Sequence, residues 1–122
     1  AVDVDDDDVQ QMIEESVDHA FDDIEERRWV EAKLRAEQTT EATSKGLKAY
    51  GNELPEEQIT KIETALADVV ALLAAKEKGG PVTAASLKDS NARLDAATQP
   101  LAELMMDRVM EQMLEKRGVL PG

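Results

Sequence analysis

Apolar residues recur at helical spacing along most of this chain. The clearest run has apolar residues three and four positions apart, which places them on one side of a helix, and its members are Ile59, Ile62, Leu66, Val69 and Leu73. A second stripe lies near the N-terminus, with the members Val9, Met12, Ile13, Val17, Ala20 and Ile24. The runs of β-branched and aromatic residues that strands favour are missing. The pattern therefore predicts helices that pack on helices.

The N-terminal stripe belongs to a long segment whose apolar face changes direction. The stripe breaks at residues 25–28 and resumes in a different phase at Trp29, Val30 and Leu34. No proline or glycine interrupts residues 9–45, so this stretch can stay helical for about 55–60 Å. The phase change indicates different neighbours for the two halves. Residues 36–45 are polar on nearly every side, so we expect them to lie across a partner or to be held at both ends.

Turn residues separate the later helices. Pro55 suits the first position of a helix that continues to Lys76 or Lys78, and Thr83 can cap the next one. Pro100 lies inside the last apolar pattern, so we expect a kink or a break near Thr98. The sequence leaves open whether Pro100 kinks one helix or separates two.

These observations predict an all-α fold. A long N-terminal helix, in which a kink would fall near residues 21–28, leads into an antiparallel bundle of three to four helices. A chain of 122 residues is long enough for one compact domain. We divide it into four parts, which are an acidic leader at 1–8, the long helix in two segments at 9–50, the bundle at 51–118 and a tail at 119–122.

Composition excludes several classes of function. The net charge of −13 repels phosphate backbones and anionic bilayers, which argues against nucleic acid and membrane partners. The absence of cysteine excludes disulfides, a thiol nucleophile and thiolate metal sites. There is neither an apolar run of about 18 residues nor a basic start typical of a signal peptide. We therefore expect a cytoplasmic protein.

The sequence offers little catalytic or metal-binding chemistry. Asp3, Asp5, Asp7 and Glu14 match ligand positions of a calcium-binding loop, but the position that needs glycine is Asp8. No histidine motif, phosphate-binding glycine loop or catalytic triad is present. We therefore expect no catalytic residue, no metal site and no cofactor in this chain.

Two groups of residues are candidates for protein contacts. Asp23 and Glu37 lie 14 positions apart, which places them on nearly the same helical face about 21 Å apart. They can latch the helix onto a basic surface, or they are two ordinary solvated acids. An apolar interaction face is the second candidate, with the members Trp29, Val30, Leu34, Met106, Met110 and Met113. Methionines at helical spacing are also ordinary core residues.

An acidic lead before Val9, the pair Met12-Ile13, a long polar helix and Leu54-Pro55 follow one another along the first half of the chain. In these features the chain resembles the helical lid of heat shock protein 70 class (DnaK-type) chaperones. The segment 94–102 (LDAATQPLA) with Met106-Asp107 is similar to the HscA branch, which serves iron-sulfur cluster assembly. Together these features extend over roughly residues 5–117.

The resemblance implies a function for the whole protein. In the family, the lid covers a β-sandwich that grips a client peptide, and a separate N-terminal domain binds ATP and Mg²⁺ and hydrolyses ATP. J-type co-chaperones and, for the HscA branch, an iron-sulfur scaffold protein are the implied partners. The ionic contacts between lid and sandwich correspond to Asp23 and Glu37, whereas a histidine of the family latch is replaced by Glu41.

We therefore expect a noncatalytic lid that closes over bound peptide and slows its release. The alternative is a self-associating helical interaction module. In that case Trp29, Val30, Leu34 and the methionine face join two chains, and an excised fragment forms a dimer.

Overall fold

The structure is a computed structural model that describes residues 6–118, and these residues form four α-helices. The order is α1 (Asp6–Tyr50), a short 3₁₀ turn (Gly51–Glu53), α2 (Glu56–Glu77), α3 (Ala84–Ala97) and α4 (Gln99–Lys116). No strand occurs between residues 6 and 118. The all-α fold expected from the apolar spacing is confirmed.

Helix α1 is one uninterrupted helix of 45 residues, which makes it about 67 Å long. Asp6, Asp7 and Asp8 of the predicted acidic leader lie in the first described turn of α1, where they complement the positive end of the helix dipole. Helical structure continues through residues 21–28, so the long helix is not divided into two segments. The division of the chain into domains stays a prediction.

The ends of the later helices follow local chemistry. Gly79 adopts a φ of +83°, a left-handed conformation that favours glycine after a helix end. The Thr83 hydroxyl accepts a hydrogen bond from the Ser86 N–H at 3.1 Å, and the Ser86 hydroxyl accepts one from the Thr83 N–H at 3.2 Å. The expected break is confirmed, because α3 ends before Thr98 and Pro100 lies in the first turn of α4.

Contacts between helices give the direction of each one. Lys76 near the end of α2 lies with its Nζ 5.0 Å from the centre of the Trp29 ring, so α2 runs antiparallel to α1. The first turn of α4 lines a groove with Thr43, and Arg108, two turns later, hydrogen-bonds Glu53 beyond the end of α1. Helix α4 therefore runs in the same direction as α1.

The core is small and aliphatic. Its fully buried side chains come from all four helices, and they are Ala36, Ile62, Val69, Leu87, Leu94 and Leu101. Ile62 and Val69 belong to the spacing that predicted α2, and Ile59, Leu66 and Leu73 are half-buried beside them. The predicted seam of α2 is therefore confirmed.

The polar middle of α1 packs on this core, so residues 36–45 lie across other helices, in agreement with the expectation that they need a neighbour. Ala36, Thr43 and Gly46 are buried, because their small size lets other helices approach closely. A methyl group placed on Gly46 would lie 3.0 Å from Leu101 Cδ2. Thr43 remains satisfied, since its hydroxyl donates to the Thr39 carbonyl at 2.7 Å. Small side chains therefore replace large apolar ones along this side of α1.

Candidate functional site on the exposed helix faces

The first half of α1 extends beyond the bundle. Every residue from 6 to 28 is exposed, which corresponds to about 34 Å of helix. We call the apolar residues on one side of this segment the α1 stripe, and its large members are Val9, Met12, Ile13, Val17, Phe21 and Ile24. Their side chains are 39–65% exposed. A contiguous apolar surface of this kind is typical of a contact surface.

The α1 stripe and the bundle lie on different sides of the helix. The bundle contacts the side that carries Trp29, Ala36 and Thr43. At 3.6 residues per turn, this side is rotated by about one third of a turn from the α1 stripe. The change of phase in the sequence therefore corresponds to a change from an exposed face to a packed face.

The two candidate latch acids remain exposed and lie on the side of α1 that faces away from the bundle. Glu37 forms an ion pair with Lys33, with 3.9 Å between Oε1 and Nζ. Asp23 forms no ion pair within residues 6–118 and lines a shallow depression with Arg27 and Val30. Glu37 lies outside that depression. The two carboxylates therefore form two separate points on one exposed side.

The candidate apolar face is divided between elements. Trp29 is half-buried against the core and holds the Lys76 ammonium over its ring. Val30 and Leu34 are 58% and 57% exposed and point away from the bundle. The methionines lie on α4, where Met106, Met110 and Met113 are 68%, 58% and 50% exposed. The structure does not bring Trp29 and the methionines onto one surface.

Helix α4 is attached to the end of α1 by a charged contact that the sequence analysis missed. The Arg108 Nε donates to Glu53 Oε1 at 2.8 Å, and its Nη1 donates to Glu111 Oε2 at 3.1 Å. The hydrogen bond and the negative charge of Glu53 raise the pKa of the Arg108 guanidinium. The two residues are 55 positions apart, so no local pattern could indicate this pair.

Within residues 6–118, no group of three or more histidine, cysteine or acidic side chains is arranged to hold a metal ion. Asp7 and Glu14 of the calcium-loop pattern lie on α1, while Asp3 and Asp5 lie outside the described residues. In the same part of the chain, no helix is long and apolar enough to span a membrane. The candidate functional site therefore consists of the exposed faces of α1 and α4 described above.

A bundle whose longest helix extends beyond it with a bare apolar side is typical of a module that packs against another domain. The family model described as Hsp70 protein matches residues 1–107. The chain therefore belongs to the Hsp70 family.

Its relatives include two kinds of Hsp70 protein. The chaperone protein HscA homolog of Laribacter hongkongensis is 31% identical over 109 residues, which cover 89% of this chain and 17% of that protein. The chaperone protein DnaK of Elusimicrobium minutum is 30% identical over 117 residues, which cover 96% of this chain and 18% of that protein. The chain thus spans under one fifth of the length of these curated relatives. No solved structure gives a significant match.

Proposed function

We propose that this chain is the helical lid of the substrate-binding domain of an ATP-dependent Hsp70 chaperone. The lid closes over a bound client peptide and slows its release. The observation that carries this proposal is the bare first half of α1, all of which is exposed from residue 6 to residue 28. Membership of the Hsp70 family supports it.

The exposed apolar side of α1 is the proposed contact with the β-sandwich subdomain. Exposure of several large apolar side chains in water is unfavourable, and burial of one such side chain contributes roughly 1.5–3 kcal/mol. The α1 stripe therefore gains stability when a second domain covers it. The bundle beyond residue 28 has its own core, so it can act as a rigid body at the end of that contact.

Asp23 and Glu37 are the proposed latch between the lid and basic groups of the sandwich. Both are exposed on the side of α1 that faces away from the bundle. Exposed ion pairs contribute only about 0.2–1 kcal/mol each, so two of them slow peptide release by at most about thirtyfold.

The test is the release rate of a labelled client peptide from the chaperone that carries this segment. Asp23→Ala and Glu37→Ala are each expected to increase the release rate by about two- to fivefold. Asp18→Ala is the matched control, because Asp18 is an exposed acid about 140° around the same helix from Asp23. Unchanged release rates for both latch variants would exclude the latch.

The remaining features of the whole protein belong to the same proposal. An N-terminal domain binds ATP and Mg²⁺ and hydrolyses ATP, a J-type co-chaperone stimulates it, and the protein acts in the cytoplasm. The resemblance of segment 94–102 to the HscA branch favours an iron-sulfur scaffold protein as the client. Relatives of both the HscA and the DnaK kind support the chaperone assignment. Competition between a scaffold-derived peptide and a general client peptide tests the choice of branch.

Self-association is the second candidate function, and the same bare α1 stripe favours it. Two copies could cover each other's apolar sides, with Val30 and Leu34 at the edge of the contact. Sedimentation velocity over a range of concentrations tests this interpretation. A dimer that persists in the intact chaperone would favour the self-associating module, whereas a dimer of the fragment alone would follow from the missing sandwich.

A further inference from the structure

A second apolar surface lies on α4, at the opposite end of the bundle from the α1 stripe. It begins in a groove of about 470 Å³ between α1 and the junction of α3 with α4, where Ala42 faces Leu101 and Met105. Exposed apolar residues continue from this groove along α4. We call them the α4 stripe, and its members are Met106, Val109, Met110 and Met113.

The size of this surface suits one side of a short helix. The members of the α4 stripe follow each other at intervals of three, one and three residues, and each is at least 50% exposed. From Ala102 in the groove to Met113, the surface is about 16 Å long, or three helical turns. Methionine side chains are flexible, so they adapt to side chains of different shape. An amphipathic helix with aliphatic residues on one side therefore fits this surface.

The charges around this surface restrict the partner. Asp95 lines the groove, and Glu103 and Asp107 follow on α4; none of these three carboxylates has an ion pair within the described part of the chain. Two neighbouring cations are already paired, because Lys45 Nζ lies 3.1 Å from Glu41 Oε1 and Arg108 is held by Glu53 and Glu111. Lys116 and Arg117 lie about one turn beyond Met113 and have no ion pair within the described residues, so the acidic part of this surface is the part from Asp95 to Asp107. The net charge of −13 disfavours a second copy of this chain at the same surface.

We propose that the groove and the α4 stripe dock a basic amphipathic helix of a partner protein. The aliphatic side of that helix lies on the methionines, and its lysines or arginines face Asp95, Glu103 and Asp107. This docking does not use the α1 stripe or the two latch acids. It is therefore independent of the lid role.

The probe is a fluorescein-labelled peptide of leucine and lysine of about 14 residues, with its leucines on one helical side. Its binding to the 122-residue chain is measured by fluorescence anisotropy. The double substitution Met106→Gln and Met110→Gln is expected to weaken binding at least fivefold, because it removes apolar contact area. Val70→Gln is the matched control, since Val70 is 50% exposed on α2, outside the groove.

Further variants distinguish this surface from the α1 stripe. The double substitution Ile13→Gln and Val17→Gln is expected to weaken peptide binding less than the α4 stripe variant does, because the α1 stripe is not beside a groove. Glu103→Gln with Asp107→Asn is expected to weaken binding severalfold and to reduce its sensitivity to salt. All these side chains are exposed, so the variants are expected to fold, and near-ultraviolet circular dichroism of the bundle checks this.

Several results would overturn the proposal. These are failure of the leucine-lysine peptide to bind, equal binding of a peptide with glutamate in place of lysine, and a larger loss from the α1 stripe variant than from the α4 stripe variant. A dimer in sedimentation that disappears with Met106→Gln and Met110→Gln would assign the α4 stripe to a second copy of the chain instead.

Discussion

The small core makes Leu94→Ala a decisive substitution for the fold. Leu94 is fully buried and is one of six buried apolar residues at the centre of the core within residues 6–118. Removal of a buried leucine side chain costs about 2–5 kcal/mol, because transfer energy is lost and a cavity remains. The packed part of the chain, residues 29–116, has an expected total stability of only about 4–13 kcal/mol. The substitution therefore removes a large fraction of the stability.

The assay is thermal and urea unfolding, followed by far-ultraviolet circular dichroism for helix content and by Trp29 fluorescence for the bundle. A loss of about 2–5 kcal/mol corresponds to a decrease in melting temperature of roughly 10–40 °C for a domain of this size. Leu34→Ala is the matched control, because Leu34 is 57% exposed and its loss should change stability by less than about 0.5 kcal/mol. Equal effects of the two substitutions would refute the assignment of the core.

Three further substitutions test other parts of the structure. Thr83→Ala removes the α3 capping box and is expected to cost about 1 kcal/mol, measured by urea unfolding; an unchanged midpoint would mean that the cap contributes nothing. Asn91→Leu removes a buried amide oxygen that has no hydrogen-bond partner among the described residues. The melting temperature is therefore expected to stay the same or rise, and a decrease would indicate a partner for that oxygen. Arg108→Met removes the contact with Glu53, so amide hydrogen exchange in α4 is expected to accelerate while exchange in α2 does not change. Equal exchange of α4 in the variant and in the unchanged chain would show that the contact does not hold α4.

Helix positions could be predicted from the sequence where large apolar residues or strong helix breakers carried the signal. The spacing of Ile62 and Val69 identified the buried side of α2, and Pro100 identified the break between α3 and α4. Both signals are local, because a helix periodicity and a missing backbone donor act within a few residues.

The packed side of α1 could not be predicted in the same way. Its buried residues are Ala36, Thr43 and Gly46, whose small size matters only once the neighbouring helices are in place. Periodicity of large apolar residues gives no signal there, so the stretch had been interpreted as polar on nearly every side.

The candidate site was predictable in part. The change of phase between the α1 stripe and Trp29 indicated two neighbours, and the structure shows one of them, the bundle. Sequence spacing placed Trp29 among exposed contact residues, but its ring is half-buried and covered by Lys76, a contact between distant helices. The exposed methionine positions 106, 110 and 113 on α4 were identified, whereas the groove beside them depends on tertiary packing.

The lid role is tested most directly by the release rate of a labelled client peptide from the chaperone with and without residues 1–122. The account predicts slower release when the segment is present, because the α1 stripe holds the bundle against the β-sandwich over the bound peptide. Equal release rates with and without the segment would contradict the lid role and leave self-association as the better interpretation.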